Sequence, residues 1–243
     1  MLNEIIFGGK ALPVVVEEFP AIRHAARKHK TYNVPGRNGD IIVQQDAFEN
    51  LILPYKVFAG AGSFIQDSWS DIADLLYLNG YQKLQDIADP GHFRLATYNG
   101  PTDAEFYWKQ TGRATLEFDC RPERFLESGD ISQTYRVLMD MNNDPVVQKI
   151  TNPTAWTAKP LIIAHISSGG SGTITVNGVA LTLSTVPGTQ IVLDCEREDA
   201  YLGTTNLNAY VSGTFPTFVS GENTLLLGGD ITSLDITPRW WEI

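Results

Sequence analysis

Glu196, Glu198 and Asp199 stand within four residues of one another. Paired carboxylates are what glycoside hydrolysis requires, one protonating the leaving oxygen while the other attacks or activates water. Such clusters also form solvated turns, and nothing else in the sequence completes a hydrolase site. The four histidines, His24, His29, His92 and His165, fall in separate segments, with no His-x-x-x-His pair and no adjacent cysteine to complete a metal set. Gly169-Gly170-Ser171-Gly172 lacks the Gly-Lys-Ser/Thr ending of a phosphate loop and leads into a strand pattern, so it reads as a flexible loop. No Gly-x-Ser-x-Gly elbow presents a nucleophilic serine. The expectation is a non-enzyme, with no catalytic residue, metal or cofactor. Aromatic rings offer one further chemistry, stacking on sugar faces, for which Trp156, Tyr201, Tyr210, Phe215 and Phe218 are candidates. A lectin-like carbohydrate-binding module is therefore the alternative function, ahead of a glycoside hydrolase.

Charge narrows the partners. The chain carries a formal net charge of −10, which argues against a surface that grips nucleic acid through displaced counterions. Residues 1 to 60 nevertheless hold seven Lys/Arg against six Asp/Glu, while residues 61 to 243 hold 11 against 22. Within the first quarter, Arg23, Arg27, Lys28 and Lys30 join His24 and His29 in a local basic cluster. It is too short and too poor in stacking rings to be a nucleic-acid patch, and reads as a solvated face or an edge meeting an acidic neighbouring subunit. Cys120 and Cys195 lie 75 residues apart and are expected as buried, reduced side chains. Without a basic n-region or a long apolar run, the chain is expected to be soluble, made in the cytoplasm and independent of a membrane.

The elements that would position these groups are mostly strands. At 243 residues, two domains are the natural expectation, residues 1–148 and 149–243. In the first, the apolar runs Val14-Val15-Val16, Ile41-Ile42-Val43 and Leu51-Ile52-Leu53 are predicted strands. The turn Pro35-Gly36-Arg37-Asn38-Gly39-Asp40 interrupts them, proline fixing φ and Asn-Gly accepting positive φ. One helix is predicted, capped by Ser68 with Asp71, with Trp69, Ile72, Ala73 and Leu76 on one face and a stop at Asn79-Gly80. Arg113 to Cys120 alternates, with Ala114, Leu116, Phe118 and Cys120 inward, and Pro122 is expected to end it. Asn99-Gly100-Pro101 and Asn142-Asn143-Asp144-Pro145 read as turns, and residues 129–143 as a connecting region without an assignable register.

Beyond Thr151-Asn152-Pro153 the composition turns to Thr, Ser, Gly and β-branched residues, which indicates an all-β domain. The clearest hairpin turns at Asn177-Gly178, pairing Val176 with Val179 and Ile174 with Leu181 and placing all four on one face. The chain closes on Pro238-Arg239-Trp240-Trp241, and two indoles so near a terminus are expected to be docked on protein surface.

Six fragments occur in an order that resembles the distal tail (Dit) proteins of long, non-contractile-tailed bacteriophages. They are Val34 to Asp40, Leu116 to Pro122, Ile150 to Thr154 with Lys159-Pro160-Leu161, Thr173 to Gly178, Gly221 to Thr224, and Ile236 to Trp241. The resemblance covers nearly the whole chain. It implies a mainly β fold: a mixed, ring-forming belt domain carrying one helix, then a galectin-like or carbohydrate-module-like β-sandwich. It also implies a structural protein of the virion tail tip, assembled in the host cytoplasm as a homohexameric ring, with stacked rings possible in the family.

The partners so implied are the tail tube, the tape measure protein, the tail-associated lysin or hub, and receptor-binding or baseplate proteins, with DNA passing an acidic channel without specific binding. A galectin's sugar-binding set finds no counterpart here, which leaves host recognition to the partners. Arg23, Arg27, Lys28 and Lys30, the turn Pro35, Gly36, Arg37, Asn38, Gly39 and Asp40, and the terminal Arg239, Trp240 and Trp241 are the candidate ring or domain interface, the last three by folding back toward the belt.

Overall fold

The computed structural model describes residues 4–60, 65–100, 104–107, 111–142 and 144–243. The chain is mainly β, with one α-helix among the described residues. It divides into two compact units, Met1–Arg124 together with Ile243, and Phe125–Glu242.

In the first unit, strands run across one sheet in the order Lys10–Ala11, Ile5–Phe7, Gln82–Asp86, His92–Thr97, Thr111–Leu126, Leu51–Gly60 and Val15–Glu18. The long Thr111–Leu126 strand organises it. Its alternation puts Ala114, Leu116, Phe118 and Cys120 inward, all buried, with Leu116 opposite Tyr55 and Phe118 opposite Leu53. Phe118 touches the rings of Phe7, Tyr55 and Tyr98 at centroid distances of 5.1, 5.7 and 5.5 Å. Each such large apolar side chain contributes about 1.5–3 kcal/mol by leaving water.

Pro122 does not end the strand, which continues to Leu126. The ladder with Leu51–Gly60 stops at the Cys120–Leu51 pair, so Pro122 lies past it and its missing N–H costs no bond there. The helix spans Ile65–Leu76 and buries Trp69, Ile72 and Leu76 in the same core. It begins three residues before the predicted Ser68 start and ends ahead of Gly80, whose φ is 72°. The side chain of Ser68, on which the predicted cap depends, lies outside the described residues, as do Pro101 and Asn143 of the two predicted turns.

The second unit is a β-sandwich. One sheet runs Gln133–Arg136, Ile231–Thr237, Leu161–Ile166, Gln190–Asp194, Asp199–Leu202 and Thr205–Asn206. The other runs Gln148–Asn152, Gly221–Gly229, Gly172–Val176, Val179–Leu183 and Val211–Gly213. Every pairing within them is antiparallel. Ile162, Ile174, Leu181, Leu193, Leu225 and Ile236, none with exposed surface, typify the shared core. The Asn177-Gly178 turn has positive φ at both residues, 50° and 81°, and the pairing is the predicted one. Val179, at the turn, is half exposed rather than inward like its three companions.

The units part after Arg124, earlier than the expected 148. Gln133–Arg136 pairs with Ile231–Thr237, so the stretch after Arg124 completes the sandwich. Cys120 and Cys195 are free and buried, one in each core.

Candidate assembly surface

His165, His92, Asp89 and Tyr55 each have an internal partner. His165 Nε2 lies 2.8 Å from Asp235 Oδ2, and His92 Nδ1 lies 3.1 Å from Asp89 and 3.0 Å from Arg124. Burial alone would raise the Asp89 carboxyl, but the Arg124 guanidinium, bonded to both its oxygens, holds it below the usual range. Tyr55 donates to Asp86 at 2.5 Å, beneath a cavity of about 320 Å³ that Phe19, Leu53, Asp86, Arg94 and Arg124 also line. Desolvation, then Asp86, drives the Tyr55 hydroxyl pKa upward, so it stays protonated.

The carboxylate cluster lies around the turn between Gln190–Asp194 and Asp199–Leu202. Asp199 accepts from Asn208 at 2.7 Å, Glu198 sits at a turn with φ 53°, and Glu196 faces Arg239 at 3.7 Å. The amides of the glycine-rich loop serve protein acceptors: Gly169 N–H donates to Val186 O at 3.0 Å, Gly170 N–H to Ser167 O at 2.8 Å, and Ser171 N–H to Asp230 Oδ2 at 2.8 Å. Among the described residues no group of three His, Cys, Asp or Glu is placed to hold a metal, and no helix is long and apolar enough to cross a membrane.

Of the sugar-stacking candidates, Phe218 is wholly buried, and Tyr210 and Phe215 pack on the core. Tyr201 is partly buried. Trp156 is the exposed one, and it stacks on Trp241.

The candidate interface residues are divided between the two units. Arg239, Trp240 and Trp241 belong to the second unit and are engaged within it. Arg239 Nη1 pairs with Asp194 at 2.8 Å, Trp240 packs on Phe218 at 5.7 Å between centroids, and Trp241 donates to the Thr157 carbonyl at 3.0 Å. The tail is tied at its root, since Leu126 N–H donates to the Trp240 carbonyl and Arg239 N–H to the Gly129 carbonyl. Both indoles thus serve the sandwich, and Ile243 alone groups with the first unit.

Arg27, Lys28, Lys30 and the turn from Pro35 to Asp40 come together in one ribbon. Arg27–Tyr32 pairs with Ile41–Phe48 as a two-stranded antiparallel sheet separate from the main one. Gly36 and Gly39 take φ of 82° and 79° in the connecting loop, which Asn33 closes by donating to Asp40 at 3.1 Å. Arg27 pairs with Asp46 at 2.8 Å, and Arg23 reaches the Ile52 carbonyl at 3.5 Å. Every residue of the Arg27–Tyr32 strand is exposed.

Tyr32, Val34, Ile41, Ile42 and Val43 are exposed on the same ribbon, which sequence reasoning did not foresee. Three consecutive apolar residues, Ile41 to Val43, do announce a strand with apolar groups on both faces. A two-stranded ribbon of this kind is marginal alone in water and calls for a covering surface.

No family model matches the chain, and no curated protein sequence matches it significantly. Among solved structures, "SPP1 Dit (gp 19.1) Protein" overlies it almost end to end, with a TM-score of 0.71, covering 97% of this chain and 98% of that one. The chain is similar in fold to SPP1 Dit. Identity is 12%, so the likeness to Dit is one of architecture across both units. The structure of Dit is described as a paradigm of the hub adsorption apparatus in phages that infect Gram-positive bacteria.

Proposed function

We propose that the chain is a structural, non-enzymatic protein of a phage tail tip. It forms a homohexameric ring at the virion's distal end, joins the tail tube to the hub or baseplate, and docks the host-adsorption components. The observation that carries this reading is the end-to-end likeness to SPP1 Dit, which takes in both units. The exposed ribbon supports it, because a basic, apolar, uncovered two-stranded sheet suits a subunit that is completed by assembly. Arg23 to Lys30 and the Pro35–Asp40 loop serve as one edge of the ring interface. Tail tube, tape measure, lysin or hub, and receptor-binding proteins are the partners, and DNA crosses the ring without a specific site.

Native mass spectrometry and negative-stain imaging of the purified chain test the proposal. Hexamers, or pairs of stacked hexamers, are the expected result. A strict monomer at every concentration, alone and with tail-tube and hub proteins added, would overturn it.

A further inference from the structure

Among the described residues, the ribbon and the stretch around Met139 and Val146 both expose apolar side chains, with opposite charge balance. Residues 23–48 hold five Lys/Arg against two Asp/Glu, in a chain whose remaining residues hold 13 against 26. Lys28, Lys30 and Arg37 make no ion pair among the described residues. The stretch around Met139 and Val146 follows Gln133–Arg136; there Met139 bridges Pro145 and Val146 N–H donates to the Leu138 carbonyl at 2.8 Å. It exposes Leu138, Met139, Val146 and Val147, and Met141 at its end is fully exposed at 104%. Residues 138–147 contain Asp140 and Asp144 and no Lys or Arg. Asp140 accepts the N–H groups of Asn142 and Asp144, each at 2.8 Å, which fixes the bend. Those donors also hold its carboxyl below the usual range, so it remains ionised.

We propose that the acidic, apolar surface formed by Leu138 to Asn142 and Asp144 to Val147 in one copy docks on the basic, apolar Arg27–Phe48 ribbon of the next copy, head to tail. The inference rests on the ring reading above and supplies its two contact surfaces. Ribbon against ribbon sets basic on basic, and the acidic surface against itself sets acidic on acidic. The mixed pairing is the one that satisfies charge while covering apolar surface on both sides. Because the two surfaces differ, the contact is heterologous and propagates until its rotation closes a ring. Methionines at the acidic surface suit such a contact, since their unbranched side chains adapt to the surface they meet.

Sedimentation velocity of the full-length chain at moderate salt tests this with two charge-reversal variants. Lys28→Glu with Lys30→Glu reverses the ribbon, and Met141→Lys with Asp144→Lys reverses the acidic surface while leaving the Asp140 bend intact. Each is expected to weaken assembly at least tenfold, and combining the two in one chain is expected to restore most of it. As a check independent of charge, chains bearing Ile42→Cys mixed with chains bearing Met141→Cys are expected to form mixed disulfide dimers on mild oxidation. Undiminished assembly in both reversals, or absence of the mixed disulfide, would overturn the contact and leave the ring standing. A wild-type chain that never assembles would overturn both.

Discussion

Trp241 stacks on Trp156 with ring centroids 5.1 Å apart and 25° between the planes, while its neighbour Trp240 turns the other way onto Phe218. Successive residues of an extended chain face opposite sides, so one tail gives one indole to the core and one to the surface.

The two indoles are therefore expected to differ in weight. Trp240→Ala removes a side chain that is 5% exposed in the sandwich core and is expected to cost about 3–5 kcal/mol. Trp241→Ala removes a half-buried ring and its stacking and is expected to cost about 1–2 kcal/mol. Urea unfolding followed by circular dichroism measures both. Equal losses would contradict the division of labour between them.

Asp194 and Arg239 give the second unit an acid dependence. Burial pulls the Asp194 carboxyl upward, but the hydrogen bond and charge of Arg239, aided by the N–H groups of Glu196 and Arg197, bring it below the usual range. A depressed folded pKa stabilises above the unfolded value, near pH 4, and the contribution is lost as pH falls below it. Asp194→Asn is expected to lower stability at pH 7 and to flatten the stability profile below about pH 4. Melting temperatures across that range test it, and an unchanged slope would remove Asp194 from the account.

Gly129 is required for space rather than for conformation. A Cβ there would sit 2.3 Å from the Trp240 backbone nitrogen and 2.9 Å from its Cβ. Gly129→Ala must push the tail away and loosen the Leu126 and Arg239 backbone bonds beside it. A loss of about 2–3 kcal/mol is expected, comparable to overpacking a tight core. Melting as high as the parent's would mean that the tail shifts freely.

Asn223 has no exposed surface and is bonded on both ends of its amide. Its Oδ1 accepts from Val219 N–H at 2.9 Å and Asn177 Nδ2 at 2.7 Å, and its Nδ2 donates to the Val219 and Gly221 carbonyls at 2.9 and 3.0 Å. Asn223→Ala orphans several buried groups at once and is expected to cost at least about 2 kcal/mol. Faster hydrogen exchange at Val219 would accompany that loss if the network is what holds the loop.

Local pattern made some of this legible and not the rest. The Asn177-Gly178 turn declared itself because its φ demands and flanking alternation are written within ten residues. The inward face of Arg113 to Cys120 was readable for the same reason. The division after Arg124 was not, because it depends on Gln133–Arg136 finding Ile231–Thr237 about a hundred residues away. Loop closure over such a span leaves no local trace. The exposed ribbon escaped notice because Ile41-Ile42-Val43 has the composition of a core strand. Only the fold reveals that, among the described residues, no other strand pairs with it.

Two thiols, one per core, give the molecule a pair of internal clocks. Burial pushes Cys120 and Cys195 up to about 12, and neither is exposed beyond 1%, so an alkylating reagent can reach each one only when its own unit opens. Labelling rates at the two positions should therefore separate opening of the first unit from opening of the sandwich without any engineered probe. An assembly that protects Cys120 alone would reveal which half its subunits use to hold one another.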